Sequence, residues 1–190
     1  DVIVGANYND GGGAEAGEAY VYHGSSSGLS TSPDWSYQGE AATDYYGQNV
    51  ASAGDVNGDG YADIIVGAHG NDGGGSAAGE AYVYHGSASG LSATPDWSEE
   101  GESAGSIFGA SIASAGDVNG DGYGDVIVGA YQYSASGKAY VYQGSASGLS
   151  ATPDWSAVGE SSNDYFGASV AGAGDVNGDG YADVIVGAYG

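Results

Sequence analysis

Several residue types are missing or scarce in this chain of 190 residues. It has no Cys, no Met and no Arg, a single Lys and three Pro. No disulfide can form, and no sulfur ligand is available for soft metals such as Cu⁺. Nucleic acids and anionic lipids are bound through Lys and Arg. Because 25 acidic residues face one base, with a formal charge of −24, we expect no binding to nucleic acid.

Long apolar runs are also absent. No stretch approaches the about 18 apolar residues of a membrane-spanning helix, so no membrane insertion is predicted. The chain begins at Asp1, inside a repeat and without an initiating Met, which is compatible with removal of a leader sequence.

Glycine, tyrosine and acidic residues are abundant instead. The chain has 39 Gly and 17 Tyr, and 41% of its residues are hydrophobic. That apolar fraction argues against disorder, and the glycines show no collagen period. The composition therefore predicts a folded all-β protein with many turns.

A nine-residue pattern recurs three times, at Asp55 to Asp63, Asp117 to Asp125 and Asp175 to Asp183. It places oxygen-bearing side chains at its first, third, fifth and ninth positions, and its seventh residue can offer a backbone carbonyl. Such hard oxygen donors suit Ca²⁺, which takes about six to eight oxygens, whereas Mg²⁺ keeps several waters. The predicted ligands are Asp55, Asn57, Asp59, Tyr61, Asp63, Asp117, Asn119, Asp121, Tyr123, Asp125, Asp175, Asn177, Asp179, Tyr181 and Asp183.

Two other loop types share part of this pattern. An EF-hand needs a Glu at its twelfth position and a following helix. Here the twelfth residues are Val66, Val128 and Val186, and β-branched runs follow that suit strands. A metal-free loop of Asx turns remains open, although it crowds three carboxylates into nine residues.

The repeat spacing predicts the architecture. Asp117 follows Asp55 by 62 residues and Asp175 follows Asp117 by 58, with four strand patterns in each interval. This period fits the four-stranded antiparallel blades of a β-propeller. In one blade the strands are predicted at Val50–Gly54, Ile64–Ala68, Glu80–Tyr84 and around Trp97–Glu100.

The predicted repeat units are 1–62, 63–124 and 125–182, and 183–190 starts a further strand. Asp1 begins the same D-V-I-V-G-A run as Asp183, so we expect it to be the ninth residue of a fourth, incomplete calcium loop. Both ends of the chain then cut through a blade, whereas closed propellers have about four to eight blades.

A second motif accompanies each loop. Tyr46-Gly47, Phe108-Gly109 and Phe166-Gly167 precede the loops, and Gly67-Ala68, Gly129-Ala130 and Gly187-Ala188 follow them. With these motifs the chain resembles the FG-GAP repeats of integrin α-subunit β-propellers and their bacterial relatives. The proline of the family motif is replaced in every copy. The resemblance implies a calcium-binding propeller that serves adhesion or interaction outside the cell.

The repeats differ mainly in their loops, and these segments are where contact with a protein or glycan partner is expected; simple tolerance of loop tips to change is the alternative. The segments are Asn7–Gly17, His69–Gly79, Tyr131–Gly137, Ala41–Asp44, Glu102–Ser106 and Ser161–Asp164. Trp35, Trp97 and Trp155 recur in P-D-W-S, which favours packing between blades over sugar stacking.

The sequence therefore predicts a calcium-stabilised, secreted or cell-surface adhesion or interaction module. Its contact loops are expected on the face opposite the calcium loops, because antiparallel strands alternate in direction. The alternative is a structural subunit that self-associates head to tail, through incomplete blades, into an extracellular filament or surface layer. A secreted hydrolase is less favoured, since only one Lys and no Arg or Cys are available, and we predict no enzyme.

Overall fold

The structure is a computed structural model that describes all 190 residues, and it consists of antiparallel β-strands and turns. Its one helical segment is a three-residue 3-10 turn, Tyr133–Ala135. No helix in the chain is long and apolar enough to cross a membrane. The predicted all-β class is confirmed.

The strands form a partial β-propeller of successive blades. The first blade has the strand order β1-β2-β5, with a small hairpin, β3-β4, between its last two strands. The strand bounds are β1 Val2–Ala6, β2 Glu18–Tyr22, β3 Gly24–Ser25, β4 Gly28–Leu29 and β5 Trp35–Gln38.

Two complete four-stranded blades follow, with orders β6-β7-β8-β9 and β10-β11-β12-β13, and then a two-stranded blade, β14-β15. Their bounds are β6 Asn49–Gly54, β7 Asp63–Ala68, β8 Glu80–Tyr84, β9 Trp97–Glu100, β10 Ser111–Gly116, β11 Asp125–Ala130, β12 Lys138–Tyr142, β13 Trp155–Val158, β14 Ser169–Gly174 and β15 Asp183–Gly187. The four predicted strands of the second blade agree to within one residue. Each of the two complete blades spans two of the predicted sequence units, whose boundaries stay a prediction.

Residue type decides the place of each strand. β7 and β11 are buried along their whole length, as expected for β-branched runs covered on both faces. β6, β10 and β14 consist mainly of small residues and lie next to one another at the inner side of the blades. Small side chains let these three strands approach closely.

Aromatic side chains fill the space between blades. The Tyr46 and Tyr84 hydroxyls are hydrogen bonded at 2.7 Å in the buried interface of the first two blades. Trp35 packs edge-on against Tyr84 with ring centroids 4.9 Å apart, and its Nε1 donates to the Ser92 carbonyl at 2.9 Å. Trp97 repeats this arrangement one blade later, so the predicted inter-blade role is confirmed for Trp35 and Trp97.

The glycines of the two motifs meet where neighbouring blades approach most closely. The Gly67 carbonyl accepts a hydrogen bond from Gly47 N–H at 3.0 Å. On its other side a Cβ at Gly67 would overlap the Gly109 carbonyl, and the same contact joins Gly129 and Gly167. The backbones therefore touch at points where any side chain would separate the blades.

We predict that Trp97→Phe lowers the free energy of unfolding by about 1 to 2 kcal/mol, because the Ser150 carbonyl loses its donor and the smaller ring fills less of the interface. The matched control is Trp155→Phe. Trp155 occupies the same motif but is 44% exposed and donates no hydrogen bond, so its substitution costs less than about 0.5 kcal/mol. Urea unfolding of both variants measures the difference, and equal losses would contradict the inter-blade role.

Candidate metal centre

The three predicted metal-binding loops occupy equivalent places in the structure. Each connects the first two strands of a blade: β6 to β7, β10 to β11 and β14 to β15. The strand register shifts at the glycine that precedes each loop, Gly54, Gly116 or Gly174. Such a bulge turns the chain out of the ladder, so all three loops leave the blades at the same edge.

The first Asp of each loop gathers backbone N–H groups. Asp55 Oδ1 accepts hydrogen bonds from Gly58 N–H at 2.7 Å and Asp59 N–H at 3.1 Å, and Oδ2 accepts one from Gly60 N–H at 2.8 Å. Asp117 and Asp175 repeat the arrangement. Backbone donors, first that of Gly180, hold the pKa of the exposed Asp175 carboxyl below its usual value.

The third and fifth residues form a second turn. Asn57 Oδ1 accepts from Asp59 N–H at 3.0 Å, and Asp59 Oδ1 accepts from Tyr61 N–H at 2.9 Å. The Asn57 amide also donates to Asp59 Oδ2 at 3.1 Å. The loop thus brings Asp55, Asn57 and Asp59 together in one exposed turn.

The ninth Asp of the first loop is buried at the base of that loop. Asp63 Oδ2 accepts from Val56 N–H at 2.8 Å, and Oδ1 accepts from Gly86 N–H at 2.7 Å in the hairpin between β8 and β9. Burial raises the pKa of the Asp63 carboxyl, and the two backbone donors oppose this rise. Asp63 therefore ties its loop to a second hairpin of the same blade.

The ninth Asp of the other loops makes the same two hydrogen bonds where the blade contains both the Asp-rich loop and the connection after its third strand. Asp125 accepts from Val118 N–H at 2.7 Å and Gly144 N–H at 2.8 Å. Asp183 accepts only from Val176 N–H, at 2.9 Å, because its blade has two strands. Asp1 Oδ1 accepts from Gly24 N–H at 2.7 Å, the bond that Gly86 makes to Asp63. The sequence does not reveal these glycine donors beyond their recurrence after each Y-V-Y strand.

The donor chemistry of the loops fits a hard cation, since every predicted ligand is an oxygen. No three His, Cys, Asp or Glu side chains are arranged as a metal-holding group. Each carboxylate oxygen that accepts one N–H keeps a second lone pair for a metal. Convergence of all five ligands in each loop stays a prediction.

The loops that vary between repeats lie at the opposite edge of the blades. Parallel bridges join Gly17 to Tyr46, Gly79 to Phe108 and Gly137 to Phe166. The connections between second and third strands therefore pack beside the connections that lead to the next blade. Gly70 N–H also donates to the Asp44 carbonyl at 3.1 Å, which links this edge from blade to blade.

Aromatic rings and unusual backbone angles concentrate in these variable loops and directly beside them. Tyr45 stacks on His69 at 5.1 Å and Tyr165 stacks on Tyr189 at 5.1 Å. Tyr45, Ile107 and Tyr165 occupy the same motif position, and their φ angles are +55°, +50° and +51°. This left-handed conformation is costly for bulky residues, and such strain is concentrated at functional sites.

We predict that Asp63→Asn destabilises the protein by about 2 to 3 kcal/mol in the presence of a chelator, because an amide leaves one of two buried N–H donors without an acceptor. Asp183→Asn is the matched control, since its side chain accepts a single bond, and we expect it to cost about 1 kcal/mol or less. Thermal unfolding of both variants without metal checks this. Equal effects would contradict a role for the Gly86 contact.

Comparison with known proteins identifies relatives across most of the chain. It is 36% identical over 160 residues to Integrin alpha-6 of Gallus gallus, which covers 80% of this chain and 14% of that protein. It is 35% identical over 177 residues to Integrin alpha-V of Gallus gallus, covering 86% of this chain and 16% of that protein. Integrin alpha-5 of Xenopus laevis is 33% identical over 169 residues, with coverages of 82% and 16%. The chain spans less than a fifth of the length of these relatives.

A family model matches in three places. The FG-GAP repeat model covers residues 46–84, 108–142 and 166–190, which together make up more than half of the chain. Each match begins at the aromatic residue of a motif that the sequence singles out, Tyr46, Phe108 or Phe166, and includes one Asp-rich loop. The chain therefore belongs to the FG-GAP repeat family.

Proposed function

We propose that this chain is an extracellular adhesion or interaction module, stabilised by calcium on one edge of its blades and contacting its partner through the loops of the other edge. The similarity to integrin alpha chains over most of the chain carries this proposal. The fold adds that the Asp-rich loops and the variable loops occupy separate edges.

Calcium is proposed as the ion because of the ligand types and the charge of the loops. Each loop offers three carboxylates and an amide oxygen, and no loop contains nitrogen or sulfur ligands. Calcium would neutralise charge in the exposed turn and crosslink its first, third and fifth residues. Weak sites of this kind fill at the millimolar calcium found outside cells, which supports an extracellular location.

The proposed contact surface combines aromatic rings with carboxylates. The Tyr45 hydroxyl donates to Glu15 Oε2 at 2.9 Å, and Tyr8 packs edge-on against Tyr45 at 5.9 Å. Tyr8 is 70% exposed. Exposed tyrosines with adaptable polar neighbours are typical of protein-recognition surfaces, so a protein or glycan partner is proposed here.

A structural subunit that assembles head to tail is the second candidate. Apolar side chains are exposed on both outer blades, among them Val4 at 44% and Ile185 at 61%. A surface of this kind favours association with another chain. Sedimentation of the purified chain in calcium decides, because a monodisperse monomer would exclude the filament. No enzymatic activity is proposed.

Calcium titration of the metal-stripped chain tests the metal part of the proposal. We expect three sites by calorimetry. At free calcium ten times Kd each adds about 1.4 kcal/mol of stability, or roughly 4 kcal/mol in all, which raises the melting temperature by about 10 °C.

The control for this titration combines Asp59→Ala, Asp121→Ala and Asp179→Ala, which remove one exposed carboxylate from each loop. Its melting temperature is expected not to respond to calcium. If the unmodified chain takes up no calcium at millimolar concentration, the loops are metal-free Asx turns.

Binding of the labelled chain to an array of matrix proteins and glycans tests the contact surface. We expect calcium-dependent binding that falls at least tenfold when residues 69–79 are replaced by the shorter loop 131–137, since tenfold corresponds to about 1.4 kcal/mol of lost contact. Replacing residues 85–96 by 23–34, at the opposite edge, is the control and is expected to leave binding unchanged. Unchanged binding after the replacement of residues 69–79 would contradict the assignment of the contact surface to the variable loops.

A further inference from the structure

Neighbouring Asp-rich loops touch one another through their backbones. Gly124 N–H donates to the Asp55 carbonyl at 2.8 Å, and Ala182 N–H donates to the Asp117 carbonyl at 2.9 Å. In both cases the eighth residue of one loop is bonded to the first residue of the preceding loop. The eighth residue lies between two predicted ligands, and the first residue is itself a predicted ligand.

A tyrosine ring forms a second contact between the same loops. Gly58 has a φ of +74°, and a Cβ built on it would lie 2.5 Å from Tyr123 Cε1. Gly120 has a φ of +76°, and its Cβ would lie 2.7 Å from Tyr181 Cε1. Each ring therefore rests directly on the glycine turn of the preceding loop, with no space between them.

Further contacts fix the position of Tyr123. A Cβ on Gly144 would lie 3.0 Å from Tyr123 Cβ, so the tyrosine is held between Gly58 and the hairpin that follows β12. Ser145 N–H of that hairpin donates to the Val56 carbonyl at 3.0 Å, and the Val56 side chain is fully buried. The preceding loop is thus packed against two segments of the next blade.

These contacts give the seventh residue two roles if the loops bind calcium, so the inference rests on the function proposed above. The Tyr123 carbonyl is a predicted ligand of its own loop, while its ring covers the turn of the preceding one. An ion that orders one loop therefore also restricts the neighbouring loop, and the neighbour loses less conformational entropy when it binds its own ion.

We propose that Tyr123 and Tyr181 are positioning residues that couple adjacent calcium loops, so that the three sites fill cooperatively. Repulsion between bound ions opposes this coupling, but salt screens charges in exposed loops over about 8 Å. The backbone bonds and the ring contact are short-range and are not screened. The net effect is positive cooperativity along the row of loops.

Tyr61 provides a matched comparison within the chain. It is the seventh residue of its loop, as Tyr123 and Tyr181 are, but its ring covers no glycine turn of another Asp-rich loop. It is 45% exposed and lines a groove of about 650 Å³ between the first two blades. Tyr61→Ala therefore removes the same side chain without removing an inter-loop contact, and it keeps the backbone carbonyl that is the predicted ligand.

The test is a calcium titration of the metal-stripped full chain by calorimetry. We expect a Hill coefficient clearly above 1 for the unmodified chain and for Tyr61→Ala. The double variant Tyr123→Ala with Tyr181→Ala keeps the backbone bonds and is expected to bind with a clearly lower coefficient and with about fivefold weaker average affinity, the lower end of typical coupling. Tyr123→Phe with Tyr181→Phe keeps both rings and is expected to retain cooperativity.

A variant that inactivates the middle loop gives an independent measurement. Asp121→Ala is expected to weaken calcium binding at the two remaining sites by about fivefold, since each loses an ordered neighbour. Circular dichroism of each metal-free variant establishes that it is folded. A merely structural role of the rings would lower melting temperatures without changing the Hill coefficient, and that result would overturn the coupling.

The outcomes separate this inference from the proposed function. Three independent sites in the unmodified chain would leave calcium binding intact and overturn the coupling. Equal loss of cooperativity in Tyr61→Ala would overturn the assignment to the ring contacts. Absence of any calcium uptake would overturn the metal part of the proposed function and the coupling together.

Discussion

The close approach of backbone to backbone between blades is the constraint on which the rest of the structure depends. Gly67 lies between the Gly47 N–H on one side and the Gly109 carbonyl on the other. No side chain fits there, so the spacing of the blades is set by main-chain atoms. Tyr46 and Phe108 precede Gly47 and Gly109, and both aromatic side chains are buried beside this contact. In the family motif, two glycines therefore permit the backbone contact between blades, and an aromatic ring packs next to it.

Backbone N–H groups take the place of the missing cations. With one Lys for 25 acids, ion pairs cannot compensate the negative charge. Asp34 accepts a hydrogen bond from His23 N–H after β2, and Asp96 accepts one from His85 N–H after β8, both at 2.7 Å. The bond from His23 N–H lowers the pKa of the Asp34 carboxyl. Each aspartate thereby stabilises a turn, since an ionised carboxylate is a strong acceptor for the N–H groups that a turn leaves free.

The regular part of the structure follows from sequence pattern. Period-two and β-branched runs predict the strands of the second blade to within one residue, and the P-D-W-S motif correctly places Trp35 and Trp97 at blade interfaces. The hydrogen bond from Gly86 N–H to Asp63 is harder to predict from the sequence. The loop spacing indicates that Asp63 offers oxygen ligands, but it does not show that Gly86 N–H is bonded to one of them. The contact of Tyr123 with Gly58 was missed for a related reason. It joins residues of different repeats, and a repeat read by itself contains no information about its neighbour.

The third blade, β10-β11-β12-β13, has the same strand arrangement as the second blade but different side-chain contacts. In the second blade the Tyr82 hydroxyl donates to Glu80 Oε2 at 2.7 Å and accepts from the Asn71 amide at 3.2 Å, which anchors the variable loop to the sheet. The equivalent of Glu80 is Lys138. It is bonded to Glu102 at 2.7 Å and lies over the rings of Tyr133 and Tyr140.

The shorter loop that precedes Lys138 has no counterpart of Asn71, so a different anchor is needed there. A cation held between two rings and a carboxylate supplies it, since Lys can satisfy both kinds of partner at once. The strand positions are therefore the same in both blades, whereas the side chains that attach the variable loop to the sheet change together with the length of that loop.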